Sequence, residues 1–426
     1  MRHVTEYSKQ ELNDMLKELT IQFQEAKKLN LKLNMARGKP AAAQLDMNMG
    51  LLEFPEGCTL EDGTDARNYG VLEGIPECRR LLGQLLGLKP DQIIIGGNSS
   101  LNLMFDTMAF HCLFGTQGKK PWSFYAYEGS PVKFLCPVPG YDRHFQICEE
   151  LGIQMIPVPF WRTDRIWRWW NMVRGCVHQR NLVCSPSLHP QGVCYSDRVV
   201  DRLASMETAA PDFRIFWDNA YGVHHIYQEV PLKNILDACE AGGHPNRAYY
   251  FFSTSKITFP GAGISLIASG PDNMKEFKRH MSSQTIGHDK LNQLRHVQYF
   301  KTPENIRAHM ADLAEVLRPK FDMVLNRLEE ELEGSGLAVW SRPKGGYFIS
   351  LDTLAGCAKR TVQLAKEAGV TLTGAGATYP YKRDPQDRNI RIAPTYPTPE
   401  ELKSAMDIFI LCVKIAGIES VVNQGN

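Results

Sequence analysis

Lys256 and Asp218 are the residues of this sequence whose types and surroundings point most directly to chemistry. Lys256 lies in the turn Ser253–Gly263, which is rich in small residues, and Asp218 follows the apolar pair Phe216–Trp217. A lysine amine can form a Schiff base with an aldehyde cofactor, and a carboxylate at a strand end can keep a pyridine nitrogen protonated. The pair therefore predicts a pyridoxal phosphate site in which Tyr221 donates to the ring's phenolate oxygen. A helix or turn cap is the alternative role for Asp218.

A second group of residues has the pattern of an anion site. Two glycines, Gly96 and Gly97, separate the apolar run Ile93–Ile95 from an apolar helix that starts near Leu101. The N–H groups and the dipole at a helix N-terminus favour anions, so we expect the cofactor phosphate here, with an ordinary helix cap as the alternative. The residues predicted to contact the phosphate are Asn98, Ser99, Ser100, Ser253 and Ser255.

Three further side chains are candidates for contact with the pyridine ring or with substrate. The turn Cys136–His144 presents Tyr141, which is predicted to stack on the pyridine face, and Arg143, which is predicted to reach a substrate carboxylate. Arg391 interrupts the strand-like run Asn389–Pro394, and an arginine fork matches a carboxylate bidentately. The alternatives are a solvated surface arginine for Arg143 and a structural salt bridge for Arg391.

Composition limits the class of protein. The chain has 426 residues, 43% of them hydrophobic, and a formal net charge of +1. It has neither a basic block nor a long apolar run, so we expect no nucleic-acid partner, no membrane partner and a cytoplasmic location. The 11 cysteines form no C-x-x-C pair. They are interpreted as buried free thiols, and no metal site is predicted.

The elements that must position these residues follow an α/β pattern. Short apolar runs alternate with helices, which predicts a mostly parallel mixed sheet covered by helices on both faces. After residue 301 a long helix, a strand near Gly346–Ser350 and further helices predict a second, smaller α/β domain. The predicted division is an N-terminal segment 1–50 joining the small domain, a large domain 51–300 and a small domain 301–426. The other expected strands are Ile93–Ile95, Ile153–Val158, Phe213–Trp217 and Ile264–Ala268.

Five segments together resemble one known family over nearly the whole chain. They are Tyr69–Pro76, Gly97–Asn102, Pro139–Phe145, Ser253–Phe259 and Pro343–Phe348. The sequence is similar to the fold-type I pyridoxal phosphate-dependent aminotransferases, and within them to the aspartate aminotransferase-like subgroup of class I/II.

The resemblance implies an activity, an assembly and three further roles. The expected reaction moves an amino group between an amino acid, aspartate or glutamate, and a 2-oxo acid. The resemblance also implies a homodimer with sites at the subunit interface, where Tyr69 reaches the neighbouring subunit's phosphate. Arg391 would bind the substrate α-carboxylate, and Gly38 would line the substrate pocket. Arg143 is favoured for the distal carboxylate, with Arg37 and Arg295 as rivals.

Two positions depart from the family pattern. The broader family often has a phosphate-binding arginine eight residues after the lysine, where this chain has Ile264. The family also has an asparagine that bonds the cofactor phenolate, where this chain has His189. We expect His189 to donate a similar hydrogen bond.

The segment 161–188 is unusual because it contains four of the chain's seven tryptophans without a helical or strand period. Codons compatible with this segment can encode family-like residues when they are read in a shifted frame, which leads to the hypothesis of a frameshift in the gene or its record. Two alternatives to an active aminotransferase remain open. One is a pyridoxal-dependent lyase or decarboxylase, and the other is an inactive product that binds cofactor poorly because of this segment.

Overall fold

The computed structural model describes residues 2–159, 195–208, 210 and 212–424. The expectations about His189 and about segment 161–188 lie outside these residues. The described α-helices are α1 (Lys9–Lys28), α2 (Ala42–Asp46), α3 (Pro76–Leu86), α4 (Ser100–Phe114), α5 (Trp122–Tyr127), α6 (Asp142–Glu150), α7 (Asp197–Ser205), α8 (Ile235–Ala241), α9 (Pro271–Met281), α10 (Lys290–Phe300), α11 (Pro303–Leu332), α12 (Ala358–Glu367) and α13 (Pro399–Gln424).

The described strands are β1 (Leu33–Asn34), β2 (Ile93–Ile95), β3 (Lys133–Val138), β4 (Gln154–Pro159), β5 (Ile215–Asp218), β6 (Ala248–Ser253), β7 (Ser265–Ser269), β8 (Ala338–Trp340), β9 (Ile349–Thr353), β10 (Val370–Thr371) and β11 (Asn389–Ile392). Short 3₁₀ helices occupy Val4–Glu6, Met49–Leu52, Pro90–Gln92 and Pro380–Lys382.

A four-stranded sheet with the order β2-β7-β6-β5 carries the candidate site. Strands β5 and β6 are parallel, whereas β7 is antiparallel to both β6 and β2. Its strands are buried apolar runs, as expected for a sheet with both faces covered. The antiparallel pairing of β7 follows from its short connection to β6, which is too short for a parallel crossover.

Three smaller sheets complete the described strands. Strands β3 and β4 form a parallel pair, β1 and β10 form another, and β11-β9-β8 is antiparallel. The sheet system is therefore mixed. The strand expected near Gly346–Ser350 begins at Ile349, because the preceding residues form the glycine turn that approaches His224. The turn expected over Cys136–His144 contains the end of β3 and the start of α6.

The buried hydrophobic side chains form three clusters. One cluster joins residues between Val4 and Met35 to residues between Leu317 and Ile418, with Tyr221 and Ile226. A second cluster is built from residues between Leu60 and Leu313, and a third is built from residues between Ile94 and Met281. The expected division into domains stays a prediction.

Seven of the cysteines that the structure describes are buried, and Cys58 is partly exposed. Burial raises the pKa of Cys112 to about 11 and that of Cys239 to about 12. Among the described residues no group of His, Cys, Asp and Glu side chains is arranged to hold a metal ion. None of the described helices has the length and apolar character needed to cross a membrane.

Candidate active site

Lys256 lies in the connection between β6 and β7, where Thr254 N–H donates to the Ile264 carbonyl at 2.8 Å. Its Nζ is 4.9 Å from the ring centroid of Tyr221. Burial lowers the pKa of the Lys256 amine, while the charge of Asp218 acts in the opposite direction. A lysine held in this way has a larger neutral fraction than a solvated one, as a nucleophilic or proton-accepting amine requires.

Asp218 ends β5, and its side chain is only 4% exposed. Because β5 and β6 are parallel neighbours, Asp218 and the turn that carries Lys256 lie at the same edge of the sheet. Asp218 Oδ2 is 2.9 Å from His144 Nε2, and Oδ1 accepts a bond of 3.2 Å from the Ala220 N–H. The carboxylate is thus buried but hydrogen-bonded, as a fixed partner for a ring nitrogen must be.

The predicted anion site lies beside the turn that carries Lys256. Ser99 caps α4 by accepting a bond of 3.2 Å from the Leu101 N–H, and Ser100 is the first helical residue. Ser255 Oγ donates to the Asn98 carbonyl at 2.7 Å, and the Asn98 side chain donates to the Pro260 carbonyl at 3.1 Å. The start of α4 and the lysine turn are therefore tied together. Ser253 is buried at the end of β6.

The position without the family's arginine is filled by an apolar side chain. Ile264 is 2% exposed, and its N–H donates to Thr254 Oγ1 at 2.9 Å. A Cβ placed on Gly97 would lie 3.9 Å from His288 Nδ1. His288 therefore lies beside the predicted anion-binding turn, and no sequence pattern pointed to it.

A cavity of about 450 Å³ opens at this edge of the sheet. The predicted residues in its wall are Gly38, Tyr141, Arg143, Asp218, Tyr221, Lys256 and Arg391. Arg37 also lines it, whereas Arg295 bonds to Asn292 and is not among the described wall residues. The residues predicted to bind the phosphate are not in the described wall of the cavity. They lie next to it, because Ser255, which donates to the Asn98 carbonyl, directly precedes the wall residue Lys256.

Arg391 is held on several sides in the middle of β11. Its Nη1 donates to Asp142 Oδ1 at 3.0 Å, its Nη2 donates to Thr373 Oγ1 at 3.2 Å, and its guanidinium lies 4.8 Å from the Phe348 ring centroid. Its Nε is buried without a hydrogen-bond partner among the described residues. The salt-bridge alternative for Arg391 is thus present in the structure, although the bridge lies in the cavity wall.

Arg143 follows Asp142 on α6 and donates to Gln146 Oε1 at 2.8 Å. It lines the main cavity and also a second, open cavity of about 380 Å³ with Gln146. Arg37, its rival, is an exposed residue of the same main cavity wall. Both arginines line the same cavity as Arg391, and their predicted role toward a distal carboxylate stays a prediction.

Tyr141 precedes α6, and its ring meets that of His144 edge to face, with centroids 5.0 Å apart. Burial is the main reason that the pKa of Tyr141 is raised to about 12. Tyr69 has a different environment, since it is 81% exposed. Its predicted contact with a neighbouring subunit's phosphate stays a prediction.

No sequence pattern predicted a role for His144 or His224. His144 supports Asp218, and its signal was its place in the motif Pro139–Phe145. His224 is 4% exposed, and its ring lies 5.4 Å from that of Tyr221. Burial lowers the pKa of His224 to about 3.

The amine, the buried carboxylate and the helix start at one sheet edge fit pyridoxal phosphate, whose aldehyde, pyridine nitrogen and phosphate need these three partners. Gly38 leaves room for the Phe348 ring in the cavity wall, because a Cβ at position 38 would lie 2.5 Å from Phe348 Cζ. Fold and site together define the class of fold-type I pyridoxal phosphate enzymes.

Comparison with known proteins narrows this class to a family. The family model described as aspartate amino-transferase matches residues 7–425. An aspartate aminotransferase of Corynebacterium glutamicum is 44% identical over 409 residues, covering 94% of this chain and 93% of that protein. The crystal structure of an aspartate transaminase from the same species aligns with a TM-score of 0.93 at 42% identity, covering 98% of this chain and 99% of that one.

A more distant structure shows the same fold alone. It is the α-aminoadipate aminotransferase of Thermus thermophilus in complex with N-(5'-phosphopyridoxyl)-L-leucine, with a TM-score of 0.70, 19% identity, and coverage of 92% and 93% of the two chains. This chain belongs to the aspartate amino-transferase family. The resemblance and the fold class expected from the sequence are confirmed.

Proposed function

We propose that this protein is a pyridoxal phosphate-dependent aminotransferase that uses aspartate or glutamate as amino donor and 2-oxoglutarate or oxaloacetate as acceptor. The observation that carries the proposal is that one cavity contains Lys256, Asp218 and Arg391. Arg143 and Arg37 in the same wall supply positive charge for a second carboxylate. The name of the relative that is 44% identical supports the choice of aspartate.

The residues around the cavity have separate roles toward the cofactor. When bound, pyridoxal phosphate supplies an electron sink that makes the Cα–H bond of an amino acid acidic. Asp218 holds a proton on the pyridine nitrogen, Tyr221 donates to the phenolate oxygen, and Tyr141 covers a ring face. His189 is proposed to donate a second bond to the phenolate oxygen.

Five residues are proposed to hold the phosphate through their side chains or backbone groups. They lie at the start of α4 and in the lysine turn, and they are Asn98, Ser99, Ser100, Ser253 and Ser255. Tyr69 of a second copy of the chain is proposed to add a hydroxyl contact, so the proposed assembly is a homodimer. A cytoplasmic location also stays a prediction.

Lys256 is proposed to move the proton. Its lowered pKa increases the neutral fraction of the amine, so Nζ can accept the proton from the substrate Cα and later release it. Arg391 binds the α-carboxylate and thereby fixes which bond at Cα faces Lys256. Holding the reacting groups in this orientation selects deprotonation over other bond cleavages.

The proposal is tested by the visible absorbance spectrum of the purified protein with pyridoxal phosphate, before and after aspartate or glutamate is added. An aminotransferase should show the band of lysine-bound cofactor, lose it with the amino acid and regain it with 2-oxoglutarate. Lys256→Ala should abolish this cycle while Lys301→Ala, which removes an exposed lysine, should leave it unchanged.

Other outcomes identify the alternatives. Product formed without any 2-oxo acid acceptor would indicate a lyase or decarboxylase. Absence of the band would mean either that Lys256 does not carry the cofactor or that segment 161–188 prevents a native cofactor site. The same measurement on a protein in which segment 161–188 is replaced by the frame-corrected sequence would then show whether that segment is the cause.

A further inference from the structure

The ion pair between Asp142 and Arg391 places a carboxylate of the protein on the arginine that is proposed to bind the substrate. Asp142 Oδ1 and Arg391 Nη1 are 3.0 Å apart, and the two side chains are 35% and 5% exposed. Both residues line the main cavity. The guanidinium therefore already carries a ligand of the kind that the substrate presents.

The other sides of Arg391 leave little room for a second carboxylate. Thr373 Oγ1 accepts from Nη2 at 3.2 Å, and the Phe348 ring lies 4.8 Å from the guanidinium carbon. Asp142, Thr373 and Phe348 line the same cavity as Arg391, so a carboxylate that approaches Arg391 from the cavity comes close to the Asp142 carboxylate. Two carboxylates crowded on one guanidinium repel each other, so binding of one weakens binding of the other.

We propose that Asp142 is a specificity-determining residue that competes with the substrate α-carboxylate for Arg391 and is displaced from it when substrate binds. This inference rests on the proposed function, in which Arg391 is the α-carboxylate anchor. An amino acid displaces Asp142 with its own carboxylate. An amine without a carboxylate leaves the ion pair intact and gains no contact with Arg391.

The position of Asp142 in the fold suits it to be released. It is the first residue of α6, where the helix dipole stabilises a negative charge after the arginine has been lost. The α6 residue Phe145 belongs to the cluster between Ile94 and Met281, whereas Ile390 and Ile392 beside Arg391 belong to the cluster of the two chain ends. When substrate displaces Asp142, the direct ion pair between α6 and β11 is replaced by a contact through the ligand.

The test is a calorimetric titration of the cofactor-loaded protein with succinate, a dicarboxylate that has no amino group to transfer. Asp142→Asn keeps the side-chain shape and removes the competing charge, so it should tighten binding by about three- to ten-fold. Glu149→Gln removes a charge from an exposed position of the same helix and should leave the dissociation constant unchanged. Asp142→Ser should show the same direction of change as Asp142→Asn.

Arg391→Gln separates this inference from the proposed function. It should weaken succinate binding at least about ten-fold, because a charge-assisted contact is lost. If Arg391→Gln weakens binding but both Asp142 variants bind as the wild type or more weakly, competition by Asp142 is overturned and the anchor role stands. If Arg391→Gln leaves binding unchanged, the anchor role in the proposed function is itself overturned. Equal visible cofactor absorbance in all variants confirms that each one is folded.

Discussion

His144 Nε2 lies 2.9 Å from Asp218 Oδ2, and both side chains are less than a tenth exposed. The two residues come from different parts of the chain, α6 and the end of β5, and meet at the cavity wall, to which Asp218 belongs. His144 therefore restrains the carboxylate that is proposed to face the pyridine nitrogen.

Replacing His144 should weaken the cofactor site without removing any group that touches the reacting atoms. His144→Asn takes away a hydrogen-bond partner of a buried charged group, so kcat should fall about 10- to 100-fold. The dissociation constant of pyridoxal phosphate, measured by absorbance titration, should rise as well. His244→Asn, at an exposed histidine, is the matched control. Unchanged cofactor affinity and kcat in His144→Asn would contradict the role.

Gly38→Ala should impair substrate binding through a chain of contacts. The new Cβ would lie 2.5 Å from Phe348 Cζ, and the Phe348 ring packs against Arg391. We expect KM for aspartate to rise about ten-fold or more, because a small displacement of a bidentate group is costly, while the cofactor spectrum stays normal. Gly261→Ala meets nothing within 4 Å and serves as control. A normal KM in Gly38→Ala would refute this coupling.

Comparing substrates with and without a distal carboxylate shows whether Arg143 or Arg37 binds that group. Arg143→Leu should lower kcat/KM for aspartate about ten-fold or more and leave the much lower value for alanine nearly unchanged, since alanine has no second carboxylate. Arg37→Leu is the matched variant on the rival. Equal losses for aspartate and alanine in Arg143→Leu would remove Arg143 from this role, and a selective loss in Arg37→Leu would transfer it.

Acid should destabilise the fold through buried neutral histidines. Burial, with the nearby charge of Arg214 adding to it, lowers the pKa of His111 to about 3. Because the unfolded chain binds this proton near pH 6.5, stability is retained above that pH and is lost as pH falls toward 3. At pH 5 this histidine should cost about 2 kcal/mol.

Urea unfolding at pH 7 and pH 5 measures this effect. In His111→Gln the difference between the two pH values should become smaller than in the wild type, and His224 and His296 account for part of the remainder. An unchanged pH difference in the variant would show that His111 does not titrate in this way. His244→Gln, at an exposed ring, serves as the comparison.

The sequence was sufficient to predict that Lys256, Asp218 and Tyr221 meet, because apolar strands followed by polar residues place those residues at one sheet edge. The family resemblance also placed Arg391 near them. The sequence did not reveal the pairing of Asp142 with Arg391, which are 249 positions apart. Such a contact depends on how two packed clusters meet, and no local pattern encodes that geometry.

The same limit applies to the strands and to the histidines. The antiparallel direction of β7 depends on the short connection from β6, whereas alternation of apolar runs with helices suggested parallel neighbours. His144 and His224 looked like ordinary residues of a helix and a turn. Their burial against Asp218 and Tyr221 became visible only in the assembled fold.

The buried thiols give this protein a built-in reporter of partial opening. Cys78 and Cys239 belong to the cluster between Leu60 and Leu313, while Cys357 and Cys412 belong to that of the two chain ends. The cluster between Ile94 and Met281 has its own three, at positions 112, 136 and 148. A thiol reagent reaches such groups only when the surrounding region opens. The order in which mass spectrometry finds these cysteines labelled would therefore show which part of the molecule loosens first.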